Sequence, residues 1–163
     1  MANVLFCSDL HFGHKNIGKF RQKFIYSEES NRNRIVTDWH KQVTKRDLVY
    51  VLGDACFTME TVDTFAQLPG KKVLVRGNHD LLDTQVYLKY FEGVYGLLKY
   101  KEFWLSHAPI HPDELRGKVN LHGHVHFDTL QDKRYFNCCP ENLWMLKGRS
   151  LISLDELREH LKP

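Results

Sequence analysis

Five short apolar runs in this chain each break off into a group of Asp, Asn or His, always at the same end. They read "NVLFCSDLH", "DLVYVLGD", "KKVLVRGNHD", "FWLSHAP" and "VNLHGHVH". Brief stretches rich in β-branched and aromatic residues, bounded by Gly, Pro, Asn or Asp, read as strands. Their nearly unbroken apolar character asks for cover on both faces, as in an α/β sheet. In such sheets the crevice beyond the C-terminal strand ends is where ligands bind. Asp9, His11, Asp54, Asn78, His79, His107, His124 and His126 can therefore converge there from five separate places. Asp9 and His11 are two residues apart, which on a strand puts both on one side of the pleat. Gly53, Gly77 and Gly123 each precede one of these groups, where tight turns bring backbone close to a centre. Taken singly, each piece has an ordinary reading as a turn or a loop histidine. Five of them in this order do not.

Between the strands the spacing changes. In "SEESNRNRIVTDWHKQV", Ser27 can cap a helix, Glu28 and Glu29 suit its first turn, and Ile35, Val36, Trp39 and Val43 share one face. "METVDTFAQL" and "DLLDTQVYLKYF" also read as helical, and Ser153 with Glu156 makes a capping box for "SLDELREHL". "RYFNCC" reads as a further strand, and "NCCPENLW" is expected to return and close a sandwich. With no repeat or linker, residues 1–163 are expected to form one α/β domain around mixed sheets.

Composition narrows the class. Apolar residues make up 42% and charged residues 26%, as in ordinary soluble proteins, and a net charge of +3 is too small to argue nucleic-acid binding by itself. Cys7, Cys56, Cys138 and Cys139 form no C-x-x-C pair and are expected to be reduced thiols of a cytoplasmic protein. Neither a charged-then-apolar leader nor an apolar run near 18 residues occurs, so no membrane partner is expected. From Phe12 to Tyr26, Lys15, Lys19, Arg21 and Lys23 alternate with aromatic residues. Ile17, Phe20 and Phe24 have helical spacing there, and the lysines read as the solvated face of that helix. His40, His111 and His160 belong to no motif and are expected at the surface, whereas His122 is expected in the core or behind the ligands.

The order D-x-H, G-D, G-N-H-D, H, G-H-x-H resembles the calcineurin-like metallophosphoesterase superfamily over Asp9 to His126, and "DLHFGH" looks most like its compact bacterial and phage members. That resemblance implies a four-layer α/β/β/α sandwich and two divalent metal ions, with manganese first and iron, zinc or nickel compatible with the donors. One ion would take Asp9, His11, Asp54 and His126, and the other Asp54, Asn78, His107 and His124, with Asp54 bridging. His79 would act on the transferring phosphoryl group or the leaving oxygen, and His14 and Asn16 would stand at the rim as substrate contacts. Asp80 is expected to cap the helix that follows. The expected substrates are small phosphate esters or nucleotides, with long nucleic acid less favoured. A nuclease and a non-catalytic metal-stabilised module are the rival readings. Protein Ser/Thr phosphatases carry G-D-x-x-D-R-G where this chain has "GDACFTM", so the group that orients His79 has no assigned residue.

Overall fold

The structure, a computed structural model, describes residues 1–162. Four parallel strands, β1 (Val4–Cys7), β2 (Leu48–Val51), β3 (Lys71–Val75) and β4 (Gly93–Tyr95), form one sheet in the order β4-β3-β2-β1. The short β9 (Ile152–Ser153) joins β1 antiparallel at its edge. A second sheet has the order β5 (Leu98–Tyr100), β6 (Phe103–Leu105), β7 (Val119–His122), β8 (Tyr135–Asn137), with only the β5/β6 pair antiparallel.

Alternation along the strands explains the unbroken apolar runs. Leu5, Cys7, Val49 and Val51 pack toward Ile35, Trp39 and Val43 on and just after helix α2 (Glu28–Gln42). Phe6, Tyr50 and Leu52 point the other way, into a cluster with Phe103, Leu105 and Leu121 of the second sheet. Every residue of β1 and β2 thus has an apolar neighbour on its own face, so no polar alternation is needed. The outward face of the second sheet is covered by a loop with one 3₁₀ turn, Pro112–Glu114. Trp104 Nε1 donates to the Leu115 carbonyl at 3.1 Å and the Tyr135 hydroxyl to that of Ile110 at 2.7 Å, which ties the loop down.

Local capping follows the sequence. The Ser27 hydroxyl accepts the Ser30 N–H at 3.0 Å, and that of Ser153 accepts the Glu156 N–H at 3.3 Å to open α7 (Leu154–His160). The "METVDTFAQL" run divides at Asp63 into α3 (Met59–Val62) and α4 (Thr64–Gln67), and "DLLDTQVYLKYF" keeps only α5 (Thr84–Tyr87). "NCCPENLW" is not a returning strand. Beyond β8 it becomes helix α6 (Pro140–Lys147), because Pro140 at the first turn fixes φ for a helix start and Gly148 (φ 69°) ends it left-handed. The returning strand is β9 instead. The segment from Phe12 to Tyr26 holds only the four-residue α1 (Ile17–Phe20); Lys15, Lys19 and Lys23 along it are exposed, and Arg21 is wholly buried. All four cysteines are buried and free, and among the described residues no helix is long and apolar enough to cross a membrane.

Candidate metal centre

All five groups lie past the C-terminal ends of β1, β2, β3, β6 and β7, and both sheets feed one place. Asp9 and His11 reach it by a route the pleat does not provide, since β1 stops at Cys7. Seven non-glycine residues have positive φ among the described residues, and five are candidate ligands: Asp9 (50°), His11 (53°), Asp54 (51°), His124 (72°) and His126 (52°). Such conformations cost about 1–3 kcal/mol each and persist where surrounding structure enforces them, as at ligand sites. The strained turns aim these side chains.

The aim is exact enough to leave donor atoms facing one another. Asp9 Oδ2 accepts the His124 N–H at 2.9 Å and contacts the Ser8 hydroxyl at 2.5 Å, which turns Oδ1 inward. Asp54 Oδ1 accepts the His79 N–H at 2.8 Å, and Oδ2 then lies 3.5 Å from His11 Nε2 and 3.4 Å from His107 Nε2. One carboxylate oxygen thus faces both halves of the site. On the first side, His11 Nε2 is 3.4 Å and His126 Nε2 3.7 Å from Asp9 Oδ1. On the second, His107 Nε2 is 2.9 Å from Asn78 Oδ1 and 3.2 Å from His124 Nδ1. The first side is the more enclosed, whereas Asn78, His79 and His124 are exposed.

These residues fit a cation. Asp9 Oδ1 and His11 Nε2 are buried without any hydrogen-bond partner, a costly arrangement for two groups so close. The donor atoms of Asp9, His11 and His126 lie within 4.8 Å of one another, as do those of Asp9, Asp54 and His107. Burial works against the charged forms of Asp9 and Asp54, yet the facing histidines hold both carboxyls well below the usual range. Burial likewise opposes charge on His107, but the Asp54 and Asp9 carboxylates and the Leu52 carbonyl raise its imidazolium to about 9. Two carboxylates among imidazoles call for positive charge at this spot.

Several groups that hold the ligands escaped the sequence. His107 Nδ1 is 2.8 Å from the Leu52 carbonyl, which fixes its proton there and frees Nε2 for the centre. His126 Nδ1 is 3.0 Å from Glu141 Oε1, which does the same for that ring. Glu141 also accepts Arg21 Nε at 2.6 Å, and Arg21 donates to Asn31 Oδ1 (2.8 Å) and to the Asp9 carbonyl (2.6 Å). Burial would raise the Glu141 carboxyl, but Arg21 and His126 more than offset this and hold it below its usual value. Arg21→Ala leaves that buried carboxylate without its guanidinium and with only His126 as a partner. It is expected to cost roughly 3–5 kcal/mol of stability, read from urea unfolding. Asp80 does not cap a helix. Its carboxylate collects the N–H groups of Asp54, Ala55 and Gly77, each at 2.8 Å, and pins the ends of β2 and β3 together. Phe57 stands where the Ser/Thr phosphatase signature has its second Asp, and its ring stacks on His79 at 5.0 Å and on His14 at 4.8 Å. The one signal for Glu141 was its place beside Pro140 at a helix start.

Backbone approach is equally tight. A Cβ at Gly123 would come within 2.1 Å of Asp9 Oδ2, and one at Gly53 (φ 91°) within 2.4 Å of His107 Nδ1. Of the rim candidates, His14 lines the cleft beside His11, whereas Asn16 is exposed at the N-cap of α1 and does not line it. His122 is buried with its Nδ1 2.9 Å from the Gly123 carbonyl, and His40, His111 and His160 are exposed.

A family model of calcineurin-like phosphoesterases matches residues 2–157. The chain belongs to that family. This phosphoesterase is therefore a metal-dependent hydrolase of phosphate ester bonds. It is 29% identical over 143 residues to the uncharacterized protein MJ1445 of Methanocaldococcus jannaschii, a match covering 84% of this chain and 77% of that one. The crystal structure of AQ665 from Aquifex aeolicus, described as a protein of unknown function, superposes with a TM-score of 0.78 at 26% identity over 98% of this chain and 100% of that one. The Pseudomonas putida nuclease MPE shares the fold at a TM-score of 0.51 and 23% identity, over 76% of this phosphoesterase and 61% of the nuclease.

Proposed function

We propose that the chain hydrolyses small, nucleotide-like phosphate esters at a two-ion centre that takes manganese. One observation carries this reading: Asp54 Oδ2 lies between His11 Nε2 and His107 Nε2, at 3.5 and 3.4 Å, with further donors behind each. Asp9, His11, Asp54 and His126 would hold one ion, and Asp54, Asn78, His107 and His124 the other. Oxygen and imidazole donors without thiolate suit manganese, with iron, zinc and nickel next. Ions so held supply Lewis acidity toward a phosphoryl oxygen and make water more acidic. The chain does the rest. Glu141 and the Leu52 carbonyl fix the faces that His126 and His107 present, Asp80 keeps the two loops in register, and His79 reaches the leaving oxygen to hand it a proton.

The nuclease reading has one observation in its favour: Lys15, Lys19 and Lys23 are exposed on the segment that also supplies Ile17 to the cleft. Burial of Arg21 removes one charge from that set, and a long polyanion needs many phosphate contacts. The test loads the protein with each metal, counts ions, and compares kcat/KM for a dinucleotide diester and a long duplex near physiological salt. About two ions per chain and preference for the small ester are expected. No bound metal, or a duplex preference that falls steeply with added salt, would overturn the proposal.

A further inference from the structure

Beside the centre, on the side of His11 and His126, lies a cleft of about 430 Å³ whose character differs from the rest of the site. Its walls include Ile17, Phe20 and Phe127 together with the ring of His14. Phe20 is 64% exposed and Phe127 39% exposed, so two large aromatic side chains stand in water next to a polar centre. Neither is loose. Phe20 stacks on His14 at 5.7 Å with 16° between ring planes, and His14 stacks in turn on Phe57. Phe127 stacks on Phe24 at 6.1 Å with 15° between planes. Each exposed ring is thus the outer member of a stack, with a face or edge left over for a partner.

The charge pattern says what that partner lacks. No lysine or arginine lines the cleft, and its one carboxylate, Glu141, is already engaged by Arg21 and His126. A second phosphate lodged there would meet no lysine or arginine, whereas a flat uncharged ring would meet stacked aromatics. The same cleft is lined by His79 and His126, so a ring within it can be joined to a phosphoryl group at the centre, through the ester oxygen alone for an aryl ring and through ribose for a base. We propose that this aromatic cleft is a subsite for a planar ring carried by the leaving group, an aryl ring or the base of a nucleoside, and that Phe20 and Phe127 set the preference for such esters. The inference rests on the phosphoesterase reading above and adds the substrate class. In hydrolysis the bond between phosphorus and the ester oxygen breaks, water supplies hydroxyl to phosphorus, and its other proton goes to the departing oxygen. His79, lining the same cleft, is placed to deliver it. From a monoester the products are phosphate and the aromatic alcohol or nucleoside.

Binding to the metal-loaded protein separates the pocket from the chemistry. Phenylphosphonate and methylphosphonate carry the same charge and have no ester to cleave. Calorimetry is expected to give phenylphosphonate roughly tenfold tighter binding, in line with stacking on aromatic side chains. Phe20→Ala and Phe127→Ala are each expected to shrink that ratio by about threefold or more. Leu130→Ala, an exposed apolar loss outside the cleft, serves as the control and is expected to leave the ratio alone. Adenosine monophosphate against ribose 5-phosphate then separates the two sources of ring: a large ratio points to nucleobases, and a ratio near one with phenyl still preferred points to aryl esters. Equal affinity for the two phosphonates, or a ratio untouched by both phenylalanine variants, overturns the subsite. If phosphate esters are hydrolysed all the same, the phosphoesterase reading survives that result. If the loaded protein binds neither phosphonate and cleaves no ester, both fall together.

Discussion

Asp54→Asn is expected to strip both ions from the protein and abolish turnover while leaving the fold in place. Asp54 spends its two oxygens differently: Oδ1 takes the His79 N–H, and Oδ2 faces His11 on one side and His107 on the other. An amide cannot do both. With its oxygen toward His79, its NH₂ group points at the two histidines and offers no lone pair to a cation. Turned over, it sets donor against donor at His79 and still brings no negative charge to the centre. The loop itself survives, since Asp80 continues to hold the N–H groups of residues 54 and 55. Metal analysis after loading, beside circular dichroism, checks the result. A variant that keeps about two ions would show that Asp54 does not bridge.

How much of this was legible in the sequence depends on how far apart the partners lie. The strand ends were readable because each motif is a local event, an apolar run followed within a few residues by its polar group. Ser27 and Ser153 were readable for the same reason: a capping serine and its partner are three residues apart. The role of Arg21 was not legible, because helical spacing sees only near neighbours and its partner Glu141 lies 120 residues away. The same distance hid Glu141, and Asp80 looked like a cap because the two N–H groups it gathers from the end of β2 lie 25 and 26 residues back. Asp9 and His11 do converge on the candidate centre, but not by the route that strand alternation suggests. Positive φ at both residues, rather than the pleat, turns them toward each other, and no residue type announces that conformation in Asp or His. The helix at Pro140 was the one misreading with a local remedy, since proline ends a strand but also starts a helix.

His79→Ala is expected to lower kcat by roughly 10²–10⁴-fold and to leave metal content near that of the unaltered protein. The structure sharpens why the two effects separate. His79 touches the centre through its backbone, whose N–H donates to Asp54 Oδ1, and alanine keeps that bond. Its ring is exposed, lines the aromatic cleft, and forms no hydrogen bond among the described residues. What holds the ring is the face of Phe57, 5.0 Å away with 23° between planes. Phe57 occupies the signature position where the Ser/Thr phosphatases have an acid, so stacking here takes the place of a carboxylate contact. An imidazole held by its face keeps both ring nitrogens available. Phe57→Ala therefore belongs in the same experiment, with a smaller loss of about tenfold in kcat, because the ring remains but loses its orientation. Metal analysis and steady-state kinetics on both variants decide the matter. Loss of an ion from His79→Ala would make His79 a ligand, and equal kcat in Phe57→Ala and the unaltered protein would mean that something other than the stack orients it.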